Sequence, residues 1–168
     1  MKQGQGKPAA DGECRESEAA PDLELERFLP YRLSVLTNRV SRLLAREYES
    51  RYGIGVSEWR AMAVLGREAA LSAGEVAERT SMDKVRVSRA VAALLRKGFV
   101  ERRRDPVDQR VARLSLTARG EAVYRRVAAL ALAFEARLLA GLHAEERRRL
   151  FGFLERLDRR VLELGAEP

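Results

Sequence analysis

The chain has 168 residues, of which 46% are hydrophobic and 34% are charged, and its formal net charge is +7. This composition is typical of a soluble globular protein, and no apolar run approaches the roughly 20 residues that a membrane-spanning helix needs. The sequence thus argues against a membrane protein, and the basic balance favours an acidic partner such as nucleic acid.

Most of the positive charge lies in one segment. Residues 83–113 contain ten Lys or Arg and four Asp or Glu, whereas residues 1–30 contain four Lys or Arg and seven Asp or Glu. Any single arginine of this segment could belong to a solvated helix face. Concentration of the charge in one segment instead favours an interface for an anionic partner.

Residues 1–22 are rich in Gly, Ala, Pro, Ser and charged residues and show no apolar periodicity. Such a composition predicts a disordered tail. This segment has no continuous apolar stretch of the kind found in secretory signals, and Cys14 is the single cysteine of the chain. Both observations favour a cytoplasmic protein without disulfides.

Two helices are predicted after the tail. Between residues 23 and 52 apolar residues recur at steps of three and four, which indicates a long amphipathic helix that ends at Gly53. A short second helix is predicted to start with Ser57 as its N-cap and to stop at Gly66.

The next two helices form the centre of the sequence. Ser72 and Glu75 have the spacing of a capping box, which predicts a short helix to about Thr80. A fourth helix is predicted from about Met82 to Lys97, with one apolar stripe. Its opposite face presents Arg86, Arg89, Ala93 and Arg96.

The apolar period then changes from helical to alternating. Residues 99–104 and 111–116 read as two strands, and residues 105–108 have turn chemistry, so the sequence predicts a β-hairpin with a basic tip. Thr117 is predicted to cap a long fifth helix, and His143 is predicted to open the last one.

A short capped helix, a helix with one basic face and a basic hairpin follow one another in the order of a winged helix-turn-helix. The major groove admits one helix, and an arginine there can bind guanine through two parallel hydrogen bonds. Arg86 and Arg89 lie in the first half of the basic helix, and Arg110 lies at the hairpin tip, where a narrow minor groove would attract it. The predicted fold class is therefore mainly α with a small β-hairpin.

The same segments resemble the MarR (multiple antibiotic resistance regulator) family. Residues 71–80 look like its third helix, residues 83–91 like its recognition helix and residues 94–102 like its exit into the wing. Asp108-Gln-Arg110 followed by Leu114-Ser-Leu-Thr117 resembles the family's wing signature. The resemblance spans about residues 23–164 and implies a homodimeric regulator of transcription, in most members a repressor that a ligand releases.

Specific DNA contacts follow from this resemblance. Ser72 would contact a backbone phosphate at a helix N-terminus, and Asp108 would pair with Arg110 and aim it. Val111 departs from the family pattern, which often has Gly or Ala there, and a β-branched residue resists positive φ. The implied DNA-contacting residues are Ser72, Lys84, Arg86, Ser88, Arg89, Arg104, Asp108 and Arg110.

The resemblance also implies how the chain is divided. Residues 23–52 and 118–164 would form a helical dimerisation region, and residues 53–117 would form the DNA-binding domain. Apolar residues of the first helix and of the last two helices exceed what a small central domain can cover, which independently favours a homodimer. The partner DNA would be a double-stranded pseudo-palindrome with half-site centres about 10 bp apart.

A small-molecule site is a further implication. Residues 28–39 are similar to those of relatives that respond to phenolic, cinnamic or nicotinic-type acids, and an aromatic carboxylate requires an aromatic surface and a guanidinium. The candidate effector-binding residues are Tyr31, Ser34, Asn38, Arg39, Trp59 and Arg60. Alternatively, Trp59 belongs to the core and the arginines belong to the surface.

Other functions have less support in the sequence. His143 is the single histidine and occupies a capping position, and with Cys14 it gives too few ligands for zinc, so we expect no metal. The sequence also has no Gly-rich phosphate loop and no Gly-x-Ser-x-Gly motif, so we expect no cofactor and no enzyme activity. Redox sensing by Cys14 lacks a cationic cradle. The remaining alternatives are an RNA- or ribosome-associated winged-helix module, an activator without a ligand and a helical protein–protein scaffold.

Overall fold

The structure, a computed structural model, describes residues 23–166 of the chain. The predicted disordered tail, residues 1–22, lies outside them, as does Cys14. The chain divides into two compact units, with the boundary between Leu36 and Thr37. In the described part of the first unit, the guanidinium of Arg32 donates a hydrogen bond of 2.9 Å to the carbonyl of Glu26, just before the first helix begins.

Six helices and one hairpin make up the described chain. In order they are α1 (Leu29–Tyr52), α2 (Val56–Arg67), α3 (Ala73–Thr80), α4 (Lys84–Arg96), β1 (Val100–Arg104), β2 (Ala112–Leu116), α5 (Ala118–Leu138) and α6 (Ala144–Ala166). The mainly α fold with a β-hairpin that the sequence predicts is confirmed. None of the described helices has the length and apolar character that crossing a membrane would require.

The bounds of α2 differ from the prediction at both ends. Gly55, not Ser57, is the N-cap, and the carboxylate of Glu58 accepts the Gly55 amide at 2.6 Å. The helix also continues through Gly66 to Arg67. A β-carbon at position 66 would lie 2.6 Å from ring atoms of Tyr124 on α5, so this glycine allows a close approach of two helices and does not mark a helix end.

The caps of α3 and α4 set the turn between them. Ser72 and Glu75 form the predicted capping box, with the Ser72 hydroxyl accepting from the Glu75 amide at 3.2 Å. Ser81 ends α3 in the left-handed region, at φ 51°, and Asp83 caps α4. Gly98, at φ 69°, follows α4 as predicted.

The two strands form an antiparallel sheet that a third segment extends. Val100 pairs with Leu116 and Arg104 pairs with Ala112. Leu71, just before α3, forms an isolated bridge with Leu114, and each of the two amides donates to the other residue's carbonyl. The hairpin is therefore bonded to the start of α3 as well as to its own partner strand.

The core of the second unit lies where α2, α3, α4, the hairpin and α5 meet. Its largest fully buried side chains are Tyr48, Ile54, Met62, Val76, Val87, Val91, Leu94, Leu114 and Val127. At the start of α5, Gly120 is held so close to the backbone of Phe99 that a β-carbon there would lie 1.9 Å from the Phe99 carbonyl oxygen. This core fixes α4 and the hairpin relative to each other.

Candidate nucleic-acid interface

α4 has one buried face and one exposed face, as its sequence predicts. The buried side chains are Val87, Ala90, Val91 and Leu94. The exposed polar side chains are Lys84, Arg86, Ser88, Arg89 and Arg96. The helical period of 3.6 residues produces this separation, so burying the apolar stripe necessarily turns the cations outward.

The cations of α4 differ in what they contact. Asp83 accepts the Arg86 amide at 2.7 Å and also forms an exposed ion pair of 3.6 Å with the Arg86 guanidinium. Within residues 23–166, neither Lys84 nor Arg89 has an ion-pair partner. Both are therefore available to an anion from outside the protein, and Arg86 has only a weak, solvent-screened competitor.

An open groove of about 610 Å³ runs beside α4. Its lining comes from the exposed face of α4 and from the first turn of α2, and it includes Ser57, Val85, Arg86, Arg89, Ala93 and Arg96. Lys97 also lines the groove, and its Nζ donates to the Gly53 carbonyl and to the Glu58 carboxylate, each at 2.5 Å. The start of α2 thus belongs to the same surface, which the sequence did not indicate.

Ser72 lies at the N-terminus of α3 and is half-buried. Its hydroxyl oxygen accepts one hydrogen bond within the capping box, and its amide donates to the Glu75 carboxylate at 2.7 Å. The hydroxyl hydrogen remains free to donate to a phosphate, because a serine hydroxyl both accepts and donates. The role predicted for Ser72 is compatible with this geometry.

The wing consists of β1, β2 and the turn between them, residues 105–111. Arg104 and Arg110 are exposed there. The predicted ion pair between Asp108 and Arg110 is wrong for the described chain: Asp108 accepts the backbone amide of Arg110 at 3.0 Å, and its carboxylate shapes the turn instead of aiming the guanidinium. Val111 has no positive φ, and its amide donates to the Asp108 carbonyl, so the β-branched residue is accommodated.

Asp105 is the one buried charged residue of the described core. Its carboxylate accepts hydrogen bonds from the Val107 amide at 2.8 Å, from the Asp108 amide at 3.0 Å and from the Arg113 guanidinium at 2.6 Å. The amide of Asp108, followed by the Arg113 guanidinium and the amide of Val107, lowers the pKa of Asp105 to about 2. The turn of the wing is therefore organised around a carboxylate that stays ionised.

Comparison with known proteins identifies the family. The profile of the MarR family matches residues 52–111. The HTH-type transcriptional regulator BilQ of Clostridium symbiosum is 34% identical over 95 residues, which make up 56% of this chain and 66% of that relative. The chain belongs to the MarR family.

Solved MarR-family structures have the same fold. A MarR/EmrR family transcriptional regulator from Acinetobacter sp. ADP1 is 27% identical with a TM-score of 0.77, and the match covers 84% of this chain and 99% of that one. A mutant MarR from E. coli complexed with operator DNA is also 27% identical, with a TM-score of 0.71 and coverage of 82% and 99%. The winged helix-turn-helix assignment is thereby confirmed.

The candidate effector residues of this MarR-family chain fall in both units. Tyr31 and Ser34 lie in the first unit and are exposed. In the second unit Asn38 and Arg39 are exposed on α1, and Trp59 and Arg60 lie on α2. The effector role of these six residues stays a prediction.

Trp59 lies in a row of three aromatic rings. Its ring centroid is 5.9 Å from that of Tyr48 and 6.0 Å from that of Tyr124. Burial raises the pKa of Tyr48 to about 12. Arg60, next in sequence, donates to the Ser41 hydroxyl at 3.3 Å. Trp59 is half-buried, so it contributes to the core and also keeps part of its ring exposed.

Sequence reasoning missed Arg113 as an organising residue of this MarR-family wing. It was counted only among the cations of residues 83–113, yet its guanidinium contacts both Asp105 and Glu75. The strand register contains a signal, because Arg113 pairs with Arg103, two residues before Asp105, and thus shares a sheet face with Asp105. The contact with Glu75, 38 residues away, has no local signal.

Proposed function

We propose that the chain is a homodimeric repressor that binds a double-stranded, pseudo-palindromic operator and that a small aromatic acid releases it. It would act without catalysis, as a binding protein. α4 would lie in the major groove, and the wing would place Arg110 in the flanking minor groove. The residues proposed for DNA binding would be those named from the sequence, with Asp108 acting through the backbone of the wing turn.

The observation that carries this proposal is the outward face of α4. Its opposite side is fixed in the core, and Lys84 and Arg89 face solvent without an ion-pair partner in the described chain. Guanidinium and ammonium groups held in this way gain most from phosphates and from guanine edges.

The dimer is supported by the apolar surface of α6. Helix α6, described over Ala144–Ala166, buries no side chain within the chain. Its exposed apolar side chains are Leu150, Phe151, Phe153, Leu154, Leu157, Val161, Leu162 and Leu164. Such a surface is larger than a monomer usually leaves in water, and a second copy of α6 would cover it symmetrically.

The operator can be found by selecting bound duplexes from a random library. A two-fold dimer predicts inverted repeats whose centres lie about 10 bp apart. Competing RNA duplexes and single strands belong in the same assay. A preference for RNA, or selected sites without any inverted repeat, would contradict the proposal.

The first prediction concerns Arg89 and Arg110. At fixed salt, Arg89→Ala should weaken binding to the selected operator by about 1–3 kcal/mol and relax the preference at one base pair, because a base contact is lost. Arg110→Ala should weaken binding too. The matched control is Arg126→Ala, which removes the same charge from an exposed position on α5. Anisotropy titrations measure all three, and equal affinities for all variants would refute the proposal.

The effector part of the proposal rests on residue chemistry. An aromatic acid would use aromatic surface at Trp59 and a guanidinium at Arg60 or Arg39. Asn38 would add a polar contact, and a role for Tyr31 and Ser34 in effector binding stays a prediction from the family resemblance. Release of DNA requires that the acid bind the DNA-free conformation more tightly than the bound one.

The second prediction uses Trp59 as a reporter, because it is the single tryptophan of the chain. Adding aromatic acids such as benzoate derivatives should quench its fluorescence and weaken operator binding over the same concentration range. Arg60→Gln should raise the acid's dissociation constant roughly tenfold, since a charge-assisted bond is lost. Arg126→Gln serves as the control. Quenching without any change in operator affinity would show a bound acid that is not an effector.

A further inference from the structure

Arg113 contacts the turn of the wing and the start of α3 at the same time. We propose that it is a positioning residue which holds the wing against α3, so that Arg110 and Ser72 reach one DNA duplex at a fixed separation. This inference rests on the proposed DNA-binding function. We call Arg113, Asp105 and Glu75 together the wing anchor. In this proposal the wing anchor increases the affinity for DNA without contacting DNA.

The guanidinium of Arg113 is bonded on two sides. Its Nε donates to Asp105 Oδ2 at 2.6 Å, and its Nη1 donates to Glu75 Oε2 at 2.9 Å and to the Ala70 carbonyl at 3.4 Å. The side chain is one-third exposed, whereas the Asp105 side chain is 11% exposed. Two carboxylates thus compensate one cation, which leaves Arg113 little attraction for a phosphate.

The Asp105 side of the wing anchor controls the turn. Besides Arg113, its carboxylate accepts the amides of Val107 and Asp108. The Asp105 amide donates to the Val111 carbonyl at 2.9 Å, which closes the turn across its base. A displacement of Asp105 would therefore also displace the segment that carries Arg110.

The Glu75 side controls the start of α3. The same Oε2 that accepts from Arg113 accepts the Ser72 amide at 2.7 Å. One carboxylate oxygen thus joins the wing cation to the capping box that holds Ser72. Hydrogen bonding to Ser72, chiefly to its amide, lowers the pKa of Glu75, and the charge of Arg113 lowers it further. Glu75 therefore stays ionised.

A two-stranded hairpin needs such support. Two strands alone are only marginally stable, and the turn of this wing extends over seven residues without a core of its own. The bridge between Leu71 and Leu114 fixes the base of the hairpin to α3. The wing anchor adds a second attachment beyond that bridge, closer to Arg110, and a preordered contact loses less entropy on binding.

The first experiment measures the order of the wing in the free protein. A nitroxide is attached at V107C, a tip position that is 93% exposed, in a C14S background. Arg113→Ala should increase the mobility of the label. Arg103→Ala is the matched control. Arg103 lies opposite Arg113 in the hairpin, and its ion-pair partner is Glu101 on its own strand. Equal label mobility in Arg113→Ala and wild type would overturn the proposal.

The second experiment separates positioning from direct contact. Operator affinity is measured for Arg113→Ala, Arg110→Ala and the double variant, with circular dichroism to verify folding. Arg113→Ala should raise the dissociation constant for the operator about tenfold, because one preordered contact is lost. In the Arg110→Ala background the same substitution should change the dissociation constant little. Arg113→Lys should restore only part of the affinity, since an ammonium lacks the fork that joins two carboxylates.

The outcomes are distinguishable. Losses from Arg113→Ala and Arg110→Ala that add fully would show that Arg113 contacts DNA itself, and the positioning role would be refuted. Wild-type affinity in Arg113→Ala would refute it as well. If the wild-type chain binds no duplex, the proposed function fails, while the label at position 107 still reports whether the wing anchor orders the wing.

Discussion

Helices α4 and α6 carry similar amphipathic patterns but use their apolar faces differently. α4 buries four apolar side chains inside its own chain, whereas α6 buries none and leaves Leu157 39% and Leu162 68% exposed. The apolar face of α4 fixes its cations in space. Within residues 23–166 the apolar face of α6 contributes to no such core. The same sequence pattern thus forms a core in one helix and, in our proposal, contacts a partner subunit in the other.

The largest effect that tests this comparison is truncation of the α4 face. Leu94→Ala should lower the free energy of unfolding by about 2–5 kcal/mol, because it removes a fully buried side chain and leaves a cavity. The loss should be the same at every protein concentration, since the contacts lie within one chain. Denaturant unfolding at several concentrations measures it.

The matched variant on α6 should behave differently. Leu154 is 42% exposed in the single chain, and Leu154→Ala should change little in a monomer. In the proposed dimer each interface loses two side chains, so the dimer should dissociate roughly tenfold more readily, and the melting temperature should fall most at low concentration. Analytical ultracentrifugation measures the dissociation. A monomeric wild-type chain, or a loss from Leu154→Ala that does not depend on concentration, would contradict the dimer.

Features set by local spacing were predictable from the sequence. The Ser72 and Glu75 capping box, the two faces of α4 and the presence of a β-hairpin follow from patterns in neighbouring residues, and the structure contains each of them. The same holds for Gly98, whose positive φ follows from its place after a helix.

Features set by distant contacts were not predictable. Gly66 was expected to end α2, but the ring of Tyr124, 58 positions later, explains why a glycine is there. Asp108 was expected to hold the Arg110 side chain, yet it bonds the Arg110 backbone, and Arg113 instead forms an ion pair with Asp105 at the turn of the wing. Periodicity shows which side of an element is apolar but not which polar groups meet across the fold.

The acid dependence of stability should also differ between the wing and α6. The pKa of Asp105 is about 2 in the folded chain and about 3.9 in an unfolded one, so the ionised carboxylate stabilises the fold above pH 4. This contribution disappears as the pH falls from about 4 to about 2. Asp105→Asn, which lacks the titrating group, should show a shallower loss of unfolding free energy over that range than wild type. Asp158→Asn, an exposed position on α6, is the control. An acid dependence in Asp105→Asn as steep as in wild type would contradict the lowered pKa of Asp105 in the folded chain.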